Sequence, residues 1–322
     1  IIAAITEQGK MTDELLAEIQ AAQTLARLED IYRPYKPKRR TRGMMAREKG
    51  LEPLAQQIMS QDPEIADLEP LARTFVNPEK GVESVSEALS GAGDIIAEDI
   101  SDQAQIREEL RQLFNKTGQL SVRQAKDEPS VYEMYYTYDE PVSKIPSHRI
   151  LAINRGEKEE YLKVALEVDE EKALALINAH CVRRGSEACV TGQFVQAAAA
   201  DAYKRLIAPS LEREIRNELS QRAAEQAIKN FGINLQALLM QPPIKGKVVL
   251  GFDPAYRTGC KLAVIDSTGK VLETGVIYPT PPQNKRDEAK TTLKAMISRH
   301  KIDVIAIGNG TASKESELFV AE

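Results

Sequence analysis

No stretch of this chain holds about eighteen apolar residues in succession, so a membrane-crossing helix is not expected and lipid is not an expected partner. Cysteine is scarce. Cys181, Cys189 and Cys260 have no pair-plus-pair spacing, which excludes a disulfide framework and a zinc-ribbon pattern and leaves free thiols. The three histidines, His148, His180 and His300, are scattered, and no metal or catalytic role follows from them. Basic residues are not in excess: 43 Lys and Arg against 48 Asp and Glu give a net charge of −5. A protein that is basic all over is thereby excluded, and any nucleic-acid contact must come from a local patch. The opening "IIAAITEQGK" lacks the basic start and small-residue cleavage site of a signal peptide, so the cytoplasm is the expected compartment. The chain also starts without methionine and stops at "ELFVAE" in what reads as an unfinished helix, as a fragment of something larger would. What is present is 322 residues with 42% hydrophobic content, enough for two or more domains with cores of their own.

One patch stands out against that balance. From Ile31 to Arg47 there is no acidic residue, and "RPYKPKRRTR" gathers Arg33, Lys36, Lys38, Arg39, Arg40 and Arg42 beside Tyr32 and Tyr35. Cations with interleaved aromatics suit phosphate contact with base stacking. A solvated surface turn, or a partner for acids elsewhere in the chain, is the plainer reading. Pro34 and Pro37 predict an extended backbone there.

The spacing of Leu15, Leu16, Ile19, Leu25 and Leu28 predicts helix over residues 11–30, opened by Thr12 and Asp13. From Val82 to Gln124 the pattern predicts two or three helices, broken at "SGAGD" and "NKTGQ". The tyrosines of "VYEMYYTYDEP" read as core packing. "HRILAIN" and "EYLKVALEVD" alternate and are rich in β-branched residues, which predicts a hairpin closed at Gly156. Helical periodicity then returns, with an alanine-rich helix from about Gln193 to Ile207 and another opened by Pro209. Leu211, Ile215, Leu219 and Ala223 recur in that second helix every fourth residue, forming one inward stripe. Pro242 and Pro243 end the helical region. The expected organisation is a helical region over 1–140, a β-hairpin insert over 141–170, a helical scaffold and linker over 171–243, and a mixed domain over 244–322.

In the last segment "KVVLGFD", "CKLAVID" and "KVLETGVIY" are joined by turns short enough for an antiparallel meander. A helical run over "NKRDEAKTTLKAMISRH" leads to "DVIAIG", a strand expected to lie parallel beside the first. That order is the order of the ribonuclease H-like fold, incomplete at Glu322. Metal-dependent nucleases of this fold pair an aspartate on the first strand with an acid at the end of the fourth, and the two hold divalent cations against a phosphate. Asp253 stands at the first place, but Gly308 and Asn309 stand at the second, and Glu315 comes late. Asp253 is then either a cap for the turn at Pro254 or a remnant of metal chemistry. A phosphate-holding hairpin of the kinase type is disfavoured because Ala255 replaces the glycine such a loop uses.

Four long segments, "LEDIYRPYKPKRRTRGMMAREKGLEPLA", "IPSHRILAINRGEKE", "GFDPAYRTGCKLAVID" and "AIGNGTASKE", in this order and across nearly the whole chain, resemble the bacterial Tex family of transcription accessory proteins. The resemblance implies a mainly α protein with an α/β domain: a multi-helical N-terminal region with a helix-turn-helix-like part, then a YqgF-type ribonuclease H-like domain. Helix-hairpin-helix repeats and an OB-fold RNA-binding domain complete the family pattern and are absent from these residues. It also implies RNA or DNA, and the transcription machinery, as partners, with no cofactor. The family's ribonuclease H-like domain is regarded as lacking a full catalytic set, so an enzyme is not expected. The alternative is a metal-dependent nuclease using Asp253, a divalent cation and acids beyond Glu322.

Overall fold

The computed structural model describes residues 1–36, 40–242 and 244–322; Pro243, the second proline of the linker, lies outside them. In chain order the elements are α1 (Ile2–Glu7), α2 (Asp13–Ala21), α3 (Leu25–Tyr32), α4 (Arg42–Glu48), α5 (Glu52–Met59), α6 (Leu68–Arg73), α7 (Val85–Ser101) and α8 (Ala104–Thr117). Then come β1 (Gln119–Gln124), β2 (Thr137–Pro141), α9 (Ser147–Lys158), β3 (Leu162–Glu167), α10 (Glu170–Cys181), α11 (Val190–Asp201) and α12 (Ala208–Leu239). The last group is β4 (Val249–Asp253), β5 (Cys260–Ile265), β6 (Val271–Ile277), α13 (Arg286–His300), β7 (Val304–Ile307) and α14 (Ser313–Ala321). The chain divides into two compact units, Ile1–Ile233 and Asn234–Glu322.

In the first unit the helices are short because the sequence keeps restarting them. Thr12, Thr24, Thr41, Asp67 and Ser84 each lie in extended backbone and accept a hydrogen bond from an amide of the first turn that follows. Thr24 therefore splits the run expected over 11–30 into α2 and α3, and Leu25 is left exposed. The break expected at "SGAGD" does not occur, and α7 passes through it unbroken. Gly91 is needed there for packing: a Cβ on it would stand 2.3 Å from Leu51 Cδ1. Ala88, Ala92, Ile95, Ile96 and Ile100 of α7 form the centre of the main core, with Ile106, Leu110 and Phe114 of α8 beside them. Leu211, Ile215, Leu219 and Ala223 of α12 join this core as the fourfold spacing predicts. A single π-helical turn, Ala202–Ile207, joins α11 to α12 directly. The wider turn lies where the Pro209 ring would otherwise meet the Arg205 carbonyl, so the proline does not end the helix.

The hairpin expected over 141–170 is not there. "HRILAIN" lies within α9, and only the second run is a strand, β3. Pro146 and Ser147 open α9, and Ile150 and Ile153, three residues apart, turn into the core as neighbours on a helix do. Gly156 lies inside the helix rather than in a turn. The true partner of β3 is β1, paired antiparallel with Leu120 opposite Leu166 and Val122 opposite Val164, while β2 takes the other edge of β1. The result is a three-stranded sheet of order β2-β1-β3 in a region read as helical up to Gln124. Tyr132 and Tyr135 are buried as expected, and the Tyr135 and Tyr138 rings meet edge to face with centroids 5.4 Å apart.

The second unit matches its expected topology. Its sheet has the order β6-β5-β4-β7, antiparallel except that β7 runs parallel to β4. One face buries Leu250, Phe252, Leu262, Val264 and Ile277 against Ala289, Leu293 and Met296 of α13 and Phe319 of α14. Gly251, Ala263 and Ala306, which alternate with these residues along the strands, lie on the opposite face and line an open depression of about 600 Å³.

Candidate nucleic-acid interface and strand-end carboxylate

The basic segment is not extended throughout. Arg33–Tyr35 forms a 3₁₀ turn, because the fixed φ of Pro34 suits a helical start, and Lys36 then turns to extended backbone ahead of the next proline. Thr41 caps α4, of which Arg42 is the first residue. The structure places the six predicted cations unequally. Arg33 Nε donates to Asp102 Oδ1 at 3.1 Å. Arg40 Nη2 pairs with Glu48 Oε2 at 2.6 Å, both side chains being largely in solvent. Lys36 and Arg42 are exposed and make no ion pair among the described residues. Lys38 and Arg39 lie outside the described residues. Tyr32 and Tyr35 are half-buried and pack on the small cluster of Ile5, Ile19 and Ile31.

Two features flank this segment that sequence reading missed. The first is a ladder of carboxylates along α7 and its C-terminal cap, Asp102. Asp94 accepts from Arg205 Nη2 at 2.8 Å, Glu98 from Thr41 Oγ1 at 2.9 Å, and Asp102 from Arg33. Four-residue spacing aligns the three along one helix face, a signal present in "DIIAEDISD" and open to detection. The second feature is a buried charge network at the end of α3. Arg107 Nε donates to Asp30 Oδ1 at 2.5 Å and its Nη2 to Ser210 Oγ at 3.2 Å, while Arg111 bridges the other Asp30 oxygen and Glu214. Burial, and after it the charge of Arg33, holds the Arg107 guanidinium below its ordinary pKa. This network fixes α3 against α8 and α12 and so sets where the basic segment begins. Beside it, a cleft of about 810 Å³ is lined by Tyr32, Arg33, Lys36, Arg213, Asn217 and Gln221, among others.

In the second unit Asp253 ends β4 with its side chain exposed, opposite Lys261 in register. Its carboxylate makes no hydrogen bond or ion pair among the described residues, so it does not cap the turn at Pro254. Gly308 follows β7 and donates its N–H to Phe252 O at 2.9 Å. A Cβ on Gly308 would stand 3.9 Å from Asp253 Oδ1. The end of the fourth strand thus meets the end of the first, with hydrogen where a second carboxylate would be. Glu315, in the first turn of α14, accepts from Tyr256 Oη at 2.9 Å, and giving that proton to a carboxylate raises the phenol pKa. Among the described residues no group of three or more His, Cys, Asp or Glu converges on one point as a metal site would.

The cysteines are free thiols. Burial pushes Cys181 up to about 11, whereas Cys189, at the start of α11, is lowered by hydrogen bonds from Thr191 Oγ1 and the Gly192 amide. Among the described residues no helix is long and apolar enough to cross a membrane.

Comparison with known proteins covers the chain almost from end to end. A family model described as Tex central region-like matches residues 62–231, and one described as Tex protein YqgF-like domain matches residues 247–322. The chain is 48% identical to protein YdcI of Bacillus subtilis over 99% of its own length and 45% of that protein. It is 41% identical to Protein tex of Bordetella pertussis, over all of the chain and 42% of that protein. It is 35% identical to the Transcriptional accessory protein Tex of Neisseria gonorrhoeae, again over all of the chain and 42% of the relative. The chain therefore spans less than half the length of these relatives.

Proposed function

Because this chain belongs to the Tex family, we propose that it is a nucleic-acid-contacting, non-catalytic scaffold of a transcription accessory factor, and that the segment Arg33–Arg42 makes the contact. The observation that carries the reading is the charge of Lys36 and Arg42, which have no ion-pair partner among the described residues and are exposed beside Tyr32 and Tyr35 in a stretch of sequence without a carboxylate. Cations of this kind release counterions when they meet phosphates, so each contact adds to the salt dependence of binding. The name of one relative, Transcriptional accessory protein Tex, speaks of transcription and supports the class of partner. The ribonuclease H-like unit then serves as a folded docking module.

The test is fluorescence anisotropy of labelled single-stranded RNA and duplex DNA with the wild type and with Lys36→Ala/Arg40→Ala/Arg42→Ala. The expected result is a loss of affinity of about tenfold or more at low salt, with a log–log salt slope shallower by about two to three. An unchanged slope would remove this segment from the interface.

A second reading has one observation in its favour. Asp253 is exposed and has no hydrogen-bond or ion-pair partner among the described residues, at a strand end where this fold elsewhere holds catalytic acids, which suits a metal-dependent nuclease. That reading requires cleavage that depends on a divalent cation and disappears in Asp253→Asn.

A further inference from the structure

The two ends of the basic segment are fastened to the same helix. Arg33 is held by Asp102 and Thr41 by Glu98; Glu98 lies in the last turn of α7 and Asp102 is the residue that caps its C-terminus, four residues on. The anchors are also sheltered: the side chains of Asp102 and Glu98 are 13% and 10% exposed, against 32% for Arg33. Weak solvation strengthens an ion pair, so Arg33 is already neutralised by a partner from its own chain.

We propose that the α7 carboxylates act as an internal competitor for nucleic acid: Asp102 occupies Arg33, and a backbone phosphate gains this cation only by displacing that carboxylate. The inference rests on the proposed role of the basic segment and adds its regulation. While Asp102 holds Arg33 no phosphate is neutralised there, so in the docked state this residue contributes nothing to the salt slope. Neutralising Asp102 without changing its shape frees the guanidinium for phosphate. Asp102→Asn keeps an oxygen to accept from Arg33 Nε, so the fold is expected to persist.

The experiment uses the full 322-residue chain with a fluorescein-labelled oligouridine and a labelled duplex, each titrated at several salt concentrations. Asp102→Asn is expected to bind about threefold to tenfold more tightly at low salt, with a slope steeper by about 0.7 to 0.9. The gain is expected to vanish when Arg33→Gln is added, so that the double variant binds no better than Arg33→Gln alone. Glu64→Gln, which removes one exposed charge elsewhere, controls for a general change in net charge. An equal gain in Glu64→Gln overturns the proposal, as does binding by Asp102→Asn that is unchanged or weaker. Weakened binding on Lys36→Ala/Arg42→Ala together with no gain from Asp102→Asn leaves the interface standing and removes only the competitor. If neither the wild type nor any variant binds, both readings fall.

Discussion

Asp30→Ala is expected to destabilise the first unit by about 3–5 kcal/mol, the usual consequence of stripping the counter-charge from a buried ion pair. Arg107 and Asp30 are 2% and 3% exposed, so water cannot take over the role of the lost carboxylate. The variant leaves two guanidinium groups, Arg107 and Arg111, with Glu214 as their one remaining carboxylate partner among the described residues, and its side chain is 30% exposed. Arg107 has little in reserve, since its Nη1 already has no hydrogen-bond partner among the described residues. Asp30→Asn, which keeps an acceptor but not the charge, is expected to fall between wild type and alanine. Native-state hydrogen exchange of the α8 amides reads this unit locally, without assuming that the whole chain unfolds in one step. Exchange there is expected to accelerate about a hundredfold to a few thousandfold, at about 1.4 kcal/mol for each factor of ten. An acceleration below about fivefold would mean that the network is replaceable. The functional consequence is direct, because α3 ends at Tyr32 and the basic segment starts at the next residue.

Gly308→Asp is expected to create a divalent-cation site in the second unit. The position needs no unusual backbone, and an added Cβ meets Pro254 Cδ at 3.3 Å, a contact that a small shift relieves. A carboxylate there would share a cation with Asp253, in the geometry that gives this fold its metal chemistry. Without the cation, two neighbouring negative charges should lower stability slightly. With manganese at about ten times its Kd, binding returns about 1.4 kcal/mol, several degrees in the melting of a unit of this size. Gly308→Asn controls for bulk, and Asp253→Asn in the Gly308→Asp background should abolish the response. The wild type is expected to show neither a manganese-dependent shift nor manganese-dependent cleavage. A wild-type response lost in Asp253→Asn would instead support the nuclease reading. A flat response from Gly308→Asp would show that the missing acid is not what separates this site from a metal centre.

The second unit was legible from the sequence because its pairings are local. β4, β5 and β6 follow one another through short turns, and β7 is reached by one crossover helix, so hydrophobic period and turn residues nearly dictate the order. The absence of an acid at Gly308 was likewise readable as a position in a pattern. In the first unit the same reasoning succeeded for α12, whose fourfold stripe admits one buried face. It failed at "HRILAIN", where the spacing of Ile150 and Ile153 suits a helix while the residue types favour a strand. Tertiary pairing settled the matter: β3 found β1, some forty residues upstream, and α9 was left to pack as a helix. Period alone could not announce a partner so distant.

By itself the sequence determined that this chain is long and apolar enough for two or more domains with cores of their own, that a run free of acidic residues from Ile31 to Arg47 gathers a patch of cations, and that its first-strand aspartate lacks a fourth-strand partner. These are properties of composition and of neighbours along the chain. The tertiary structure alone decided which cations remain available. Arg33 is taken by Asp102, sixty-nine residues away, while Lys36 and Arg42 stay in solvent. The physical reason is that a charge acts according to its distance from other charges and from water, and only folding sets those distances.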